Sequence, residues 1–239
     1  MAGLTATRVT PRRALPAPLT AVSLSAQARA HTHMLTSLLL DYPDAAWFAR
    51  LDELRMHISA LPPAIADPLN AFVEQARAAG ADEFQRMYVT TFDLKRKCSL
   101  YLSYFATGDT RKRGTALVTF LEAYRAAGWE FDAAELPDYL PAVLEFSARS
   151  GSPVAEALLA AHVEGIEVLR AALEEMQSPW ALVVSTITRS LPPVSDAVRE
   201  RVLDLVTEGP PVETVGLSFL GKITPINHKT AEKEQSWTR

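Results

Sequence analysis

Apolar residues recur at three- and four-residue steps along most of the 239-residue chain, the spacing that lines one face of an α-helix. The clearest run is Ala45–Leu61, where Trp47, Phe48, Leu51, Leu54, Ile58 and Leu61 keep that period. Pro43-Asp44 opens this run and Pro62-Pro63 closes it. An earlier helix is expected over Ser23–Leu40, ended by Asp41-Tyr42-Pro43 because proline disfavours helix in the residue before it. Next come Ala64–Ala79, stopped at Gly80, and a helix capped by Asp82 that carries Phe84, Met87, Tyr88 and Phe92. Thr110–Ala127 follows, with Phe120 and Tyr124 inward and Lys112 and Arg113 outward. A helix starting near Pro137 occupies Glu135–Ser147. The longest run, Val154–Met176, is expected to keep Gly165 inside and most of its glutamates outside. Pro179–Leu191 and Ser195–Thr207 complete the series. No stretch alternates with the two-residue period of a strand, and no repeat of fixed length occurs. The pattern therefore predicts an all-α, single-domain bundle of about ten helices over residues 23–208. A disordered basic arm over 1–22 and a mobile tail over 209–239 flank it, the tail mixing proline, glycine, threonine and charge without a period.

Composition narrows the function classes. Hydrophobic residues make up 48% of the chain, and mean hydropathy is +0.03, enough for a full core in a soluble protein. The net charge of −4 argues against a nucleic-acid partner. The single cysteine, Cys98, rules out an internal disulfide and a multi-cysteine metal site, and fits a reducing cytoplasm. The longest apolar run, Trp180–Ile187, is eight residues, well short of the ~18 of a membrane helix, so no direct membrane insertion is expected. Arg12-Arg13 ahead of an alanine-leucine stretch loosely imitates a twin-arginine signal, but two prolines and polar residues interrupt the apolar part.

No catalytic set emerges. None of the five histidines falls in a metal-binding helical spacing, and His31 and His33 point to different sides of one helix. Cys98 lies beside Lys97, which would favour a thiolate, but a small half-buried residue of a helical bundle is the preferred reading. There is no Gly-x-Ser-x-Gly elbow and no Gly-rich phosphate loop. Two features stand out instead. Tyr88–Gly108 is rich in aromatics around a basic Lys95-Arg96-Lys97 knot. Glu135–Ser147 joins acidic residues to an aromatic-rich face. Asp138 and Glu145 are seven residues apart, nearly two helical turns, and so are expected on one exposed acidic stripe. Apolar walls with a charged rim suit a groove that receives a peptide helix, with Glu135, Asp138 and Glu145 attracting a basic one.

Several ordered motifs carry a family resemblance. They are Leu39-Leu40-Asp41-Tyr42-Pro43, Tyr88-Val89-Thr90-Thr91-Phe92-Asp93 with Cys98–Tyr104, and Gly108-Asp109-Thr110-Arg111-Lys112-Arg113-Gly114. The strongest is Glu135-Leu136-Pro137-Asp138-Tyr139-Leu140-Pro141 with Leu144-Glu145-Phe146. The chain resembles the nitrate reductase assembly chaperones of the TorD-like family of molybdoenzyme maturation proteins, over about residues 30–175. The resemblance implies an all-helical, cytoplasmic, non-enzymatic protein without a cofactor or metal of its own. Such proteins bind the apo catalytic (molybdenum) subunit, including its basic N-terminal segment. They hold it competent for cofactor insertion, delay its membrane attachment, and are absent from the finished enzyme. Client contact is then expected at Glu135, Asp138, Tyr139 and Glu145, with Tyr101 and Tyr104 as apolar walls and Pro137 and Pro141 as structural members of the signature. Competing readings are a chaperone for a sulfoxide or amine-oxide reductase, a helical regulator or scaffold, and a Cys98-dependent enzyme.

Overall fold

The computed structural model describes residues 17, 19–132 and 134–191, and everything below refers to these. Eleven α-helices follow one another among them with no β-sheet, as the periodicity predicts. They are α1 (Ala26–Leu39), α2 (Ala45–Ala49), α3 (Leu51–Ile58), α4 (Pro63–Ala79), α5 (Ala81–Tyr88) and α6 (Leu102–Thr107). After these come α7 (Lys112–Ala126), α8 (Leu140–Ser150), α9 (Pro153–Ala161), α10 (Val163–Glu175) and α11 (Trp180–Ser190). The helix expected over Ser195–Thr207, the tail and most of the arm lie outside the described residues. Of the arm's end, Val22 N–H donates to the Arg189 carbonyl at 2.8 Å, and the Ala17 carbonyl accepts from Arg170 at 3.4 Å.

Two expected helices are each broken in two. Ala45–Leu61 divides at Arg50, whose N–H reaches back only three residues, to Trp47. Val154–Met176 divides at His162. There the imidazole Nδ1 takes the Leu158 carbonyl at 2.8 Å, and the backbone N–H turns to Leu159 instead. A side chain competing for the i−4 carbonyl is a local reason for the helix to re-aim. Asp82 does not cap α5: Gly80, at φ +76°, is the boundary residue, and Asp82 lies in the first turn.

The core gathers on Trp180, which is fully buried. Its ring lies 4.5 Å from Phe84, 5.9 Å from Phe72, and 5.4 Å from both Tyr88 and Phe92. Trp47 extends this cluster, 5.8 Å from Phe84, and its indole N–H donates to the Leu38 carbonyl at 2.8 Å. On the other side α10 approaches α6 closely at Gly165, where a Cβ would sit 2.8 Å from the Phe105 ring. Gly165→Ala is expected to cost about 1–3 kcal/mol, measured as a lowered urea midpoint, because the interior has no slack for the added methyl. Not all of α10's acids face out. Glu167 is buried and pairs at 2.7 Å with the equally buried Arg170, which also reaches Glu174 at 2.6 Å.

α1 lies against α8 and α11 through a polar seam that the helical pattern hides. His33 is fully buried. The Ser190 hydroxyl donates to the Ile187 carbonyl at 2.7 Å, so it accepts from His33 Nε2–H at 3.0 Å. Nδ1 is then the acceptor for the Ser147 hydroxyl at 2.9 Å. Burial, with Arg29 nearby, pushes the His33 pKa down to about 4. Above pH ~6.5 the imidazole is neutral in both folded and unfolded chains. As pH falls through that value the unfolded chain binds a proton that the folded one refuses until about pH 4, so stability declines across the window. Between pH 7.5 and 5 the loss should be about 2 kcal/mol. Denaturant titrations of the unaltered chain and His33→Gln at both pH values check it, and parallel profiles would refute it.

Candidate functional site

The residues singled out from the sequence meet where the chain crosses itself. Leu100–Leu102 runs antiparallel to Asp138–Leu140: Leu102 N–H donates to the Asp138 carbonyl at 2.9 Å, and Leu140 N–H to the Leu100 carbonyl at 2.7 Å. This single bridge sets Tyr101 opposite Tyr139, ring centres 5.5 Å apart. Residues in extended conformation cannot also be helical, and Tyr139 has ψ 118°; α8 therefore begins at Leu140, three residues after Pro137. The two prolines anchor the crossing. The Pro137 carbonyl accepts from the Tyr124 hydroxyl at 3.2 Å, and the Pro141 carbonyl accepts from Ser37 at 2.7 Å.

The later helix start removes the expected acidic stripe. Asp138 is fully buried instead of exposed. Its Oδ2 accepts from the Ser103 N–H at 3.1 Å and the Ser103 hydroxyl at 2.5 Å. The first N–H groups of a helix have no partner within it, and Asp138 supplies one for α6 from 35 residues away in sequence. Glu145 is half-buried on α8 and pairs with Arg149 at 2.7 Å. Arg149 in turn covers the Trp129 ring at 5.2 Å.

Above the crossing opens a groove of about 460 Å³. Tyr101, Tyr104 and Tyr139 form one part of its wall, and Tyr42, Tyr88 and Phe92 the other. Tyr42 meets Tyr88 edge-on at 5.4 Å, and Tyr88 lies 4.7 Å from Phe92. Phe92 and Asp93 are placed by a π-helical turn, Val89–Asp93, in which Leu94 N–H reaches five residues back to Val89 at 3.2 Å. Such wide turns are scarce and often mark functional positions. Burial raises the Tyr88 and Tyr101 phenols above their ordinary range, Tyr101 further because its hydroxyl donates to Glu135 at 2.8 Å. Tyr88 and Tyr101 thus face the groove as neutral phenols at physiological pH.

The rim is charged with both signs. Asp41, Asp93 and Glu135 contribute carboxylates. Arg96 donates to the Tyr104 hydroxyl at 2.9 Å and pairs with Asp109; Lys95 and Arg113 also line the opening. Large apolar residues stay exposed beside these: Tyr42 in the wall, Leu94 next to Asp93, and Leu136 next to Glu135. Apolar walls, exposed apolar shoulders and a charged rim together suit an amphipathic segment of another protein.

Of the residues expected from sequence, Glu135, Tyr101, Tyr104 and Tyr139 line the groove; Asp138 and Glu145 do not. Asp41, Tyr42, Phe92 and Asp93, which the sequence offers as parts of family motifs but not as contacts, line it as well. The helical period places Arg113 outward, whereas its guanidinium lies over the Tyr101 and Tyr104 rings. Cys98 is not activated: it is buried 3.6 Å from the Met176 sulfur, and burial pushes its thiol up to about 11.

Known proteins are similar to this chain in sequence. The family described as "Nitrate reductase delta subunit" matches residues 59–184. "Nitrate reductase-like protein NarX" of Mycobacterium tuberculosis (strain H37Rv) is 37% identical over 154 residues, 64% of this chain but only 23% of the relative, so the chain spans about a quarter of that protein. "Probable nitrate reductase molybdenum cofactor assembly chaperone NarJ" of Bacillus subtilis (strain 168) is 31% identical over 172 residues, 72% of this chain and 92% of the relative. "Nitrate reductase molybdenum cofactor assembly chaperone NarJ" of Escherichia coli (strain K12) is 31% identical over 190 residues, 74% of this chain and 78% of the relative. With a family match across more than half of the chain, and with NarJ chaperones aligned along most of both sequences, the protein belongs to the nitrate reductase delta subunit family.

Proposed function

We propose that the chain is an assembly chaperone for nitrate reductase. It binds the apo catalytic subunit in the cytoplasm, by that subunit's basic N-terminal segment among others, and keeps it open to molybdenum cofactor insertion. It delays membrane attachment until assembly is complete and is not retained in the finished enzyme. The observation that carries this reading is the tyrosine-walled groove with exposed apolar shoulders, in a chain of this family. Apolar side chains of the client helix enter between Tyr101, Tyr139 and Tyr88, while Glu135, Asp41 and Asp93 meet its basic residues. Asp138, named at first as a contact, acts in this reading by holding Tyr139 and Ser103 in place. Among the described residues no helix is long and apolar enough to cross a membrane, so delayed attachment would be exerted through the client.

The test is recovery of the catalytic subunit with the tagged protein from anaerobic, nitrate-respiring cells, and its absence when Tyr101 and Tyr139 are both alanine. Recovery of a sulfoxide or amine-oxide reductase instead would move the assignment within the wider group. Calorimetry with the client's N-terminal peptide separates the acids. Glu135→Lys should weaken binding by about 0.2–1 kcal/mol, less at high salt, because rim pairs are solvated and screened. Glu145→Lys, away from the groove, should leave affinity unchanged; an equal loss from both variants would remove the groove as the docking surface.

A further inference from the structure

Among the described residues that line the groove, Arg113 alone has a buried side-chain nitrogen or oxygen without a hydrogen-bond partner. Its side chain is only 22% exposed, and it packs over two aromatic rings, 5.3 Å from the centre of Tyr101 and 5.9 Å from that of Tyr104. Its Nε is buried with no hydrogen-bond partner. The carboxylate nearest to it among its ion pairs is Asp109, at 3.8 Å, beyond hydrogen-bond reach, and Asp109 is already held by Arg96. A guanidinium presents a planar fork of donors that matches a carboxylate, and one pre-set on aromatic faces loses little freedom on binding it. Nε is closed to solvent and hence to a ligand, so an acceptor would meet the guanidinium through the 22% of the side chain that stays exposed, where no carboxylate among the described residues lies within hydrogen-bond reach.

We infer that Arg113 is a specificity-determining residue of the groove, receiving an acidic side chain of the client segment. The inference rests on the client reading above and refines it: the recognised segment is of mixed charge. Its basic residues face Asp41, Asp93 and Glu135, and one Asp or Glu reaches the Arg113 guanidinium beside Tyr101 and Tyr104. A rim carrying both signs fixes the direction in which the segment lies, since reversal would set like charges together.

The experiment measures peptide affinity for the full chain by fluorescence anisotropy. The probes are the N-terminal peptide of the nitrate reductase catalytic subunit and versions in which each Asp or Glu is replaced in turn by Asn or Gln. Arg113→Gln should weaken the unaltered peptide about tenfold to hundredfold, and one amidated peptide by less than about twofold, because their shared contact is already gone. Arg113→Lys, which keeps charge without the fork, should recover part of the loss. Unfolding midpoints of both variants must match that of the unaltered chain. A loss of equal size on every peptide, or no loss, overturns the Arg113 assignment while leaving the groove reading in place. If none of the peptides binds the unaltered chain, both readings are overturned.

Discussion

Trp180→Ala is expected to lower unfolding stability by about 3–5 kcal/mol. The indole is fully buried and joins four aromatic neighbours contributed by α4, α5 and the π-helical turn. Its removal leaves a cavity lined by rigid rings that cannot collapse into it. Its own Nε1 has no hydrogen-bond partner, so the loss is one of packing, with no acceptor orphaned. Trp180→Phe should therefore cost less than about 1.5 kcal/mol, since much of the volume stays and the unpaired N–H goes. Urea titrations followed by far-ultraviolet circular dichroism decide it: the midpoint of Trp180→Ala should drop with an unchanged slope. The same variant should bind client peptide more weakly even where fully folded, because Tyr88 and Phe92 rest on Trp180 from below and on the groove from above. Equal losses from the phenylalanine and alanine variants would overturn the packing account.

The helical architecture was legible because helix needs only a local period, and Trp47, Leu51, Leu54 and Ile58 display it without help from distant residues. What escaped was set by pairs far apart in sequence. His33 carries no mark of burial in its own neighbourhood; Ser147 and Ser190, 114 and 157 residues away, satisfy its ring. Arg113 reads from the helical period as an outward position, but its long side chain lies over Tyr101 and Tyr104. The groove was half legible. Tyr101, Tyr104, Tyr139 and Glu135 could be gathered from two aromatic or acidic stretches, while Tyr42 reaches the same wall from a segment that also reads as a helix stop, and Phe92 from the helix-forming part of the aromatic stretch. The division of helices at Arg50 and His162 depends on single hydrogen-bond choices that periodicity does not register.

Asp138 is where sequence and structure diverge most, and it gives the other large effect. A carboxylate seven residues before Glu145 reads as part of an exposed acidic line only if the helix already runs through both. The antiparallel bridge to Leu100–Leu102 delays the helix to Leu140 and turns Asp138 inward, under Ser103. Asp138→Ala should cost about 1–3 kcal/mol, since two hydrogen bonds go and leave the Ser103 N–H and hydroxyl buried without an acceptor, partly offset because the unpartnered Oδ1 goes too. Asp138→Asn should cost less, because one amide oxygen can still accept from Ser103. Binding separates this role from direct contact. A rim carboxylate loses affinity in a salt-dependent way, whereas Asp138 lies out of reach of solvent and client. Asp138→Ala, measured well below its unfolding midpoint, should bind client peptide more weakly through displaced Tyr139 and Tyr101 rings, and the size of that loss should not change between low and high salt. A loss that fades at high salt, as expected for Glu135→Lys, would make Asp138 a contact residue instead. A variant with undiminished stability would remove it from the crossing altogether.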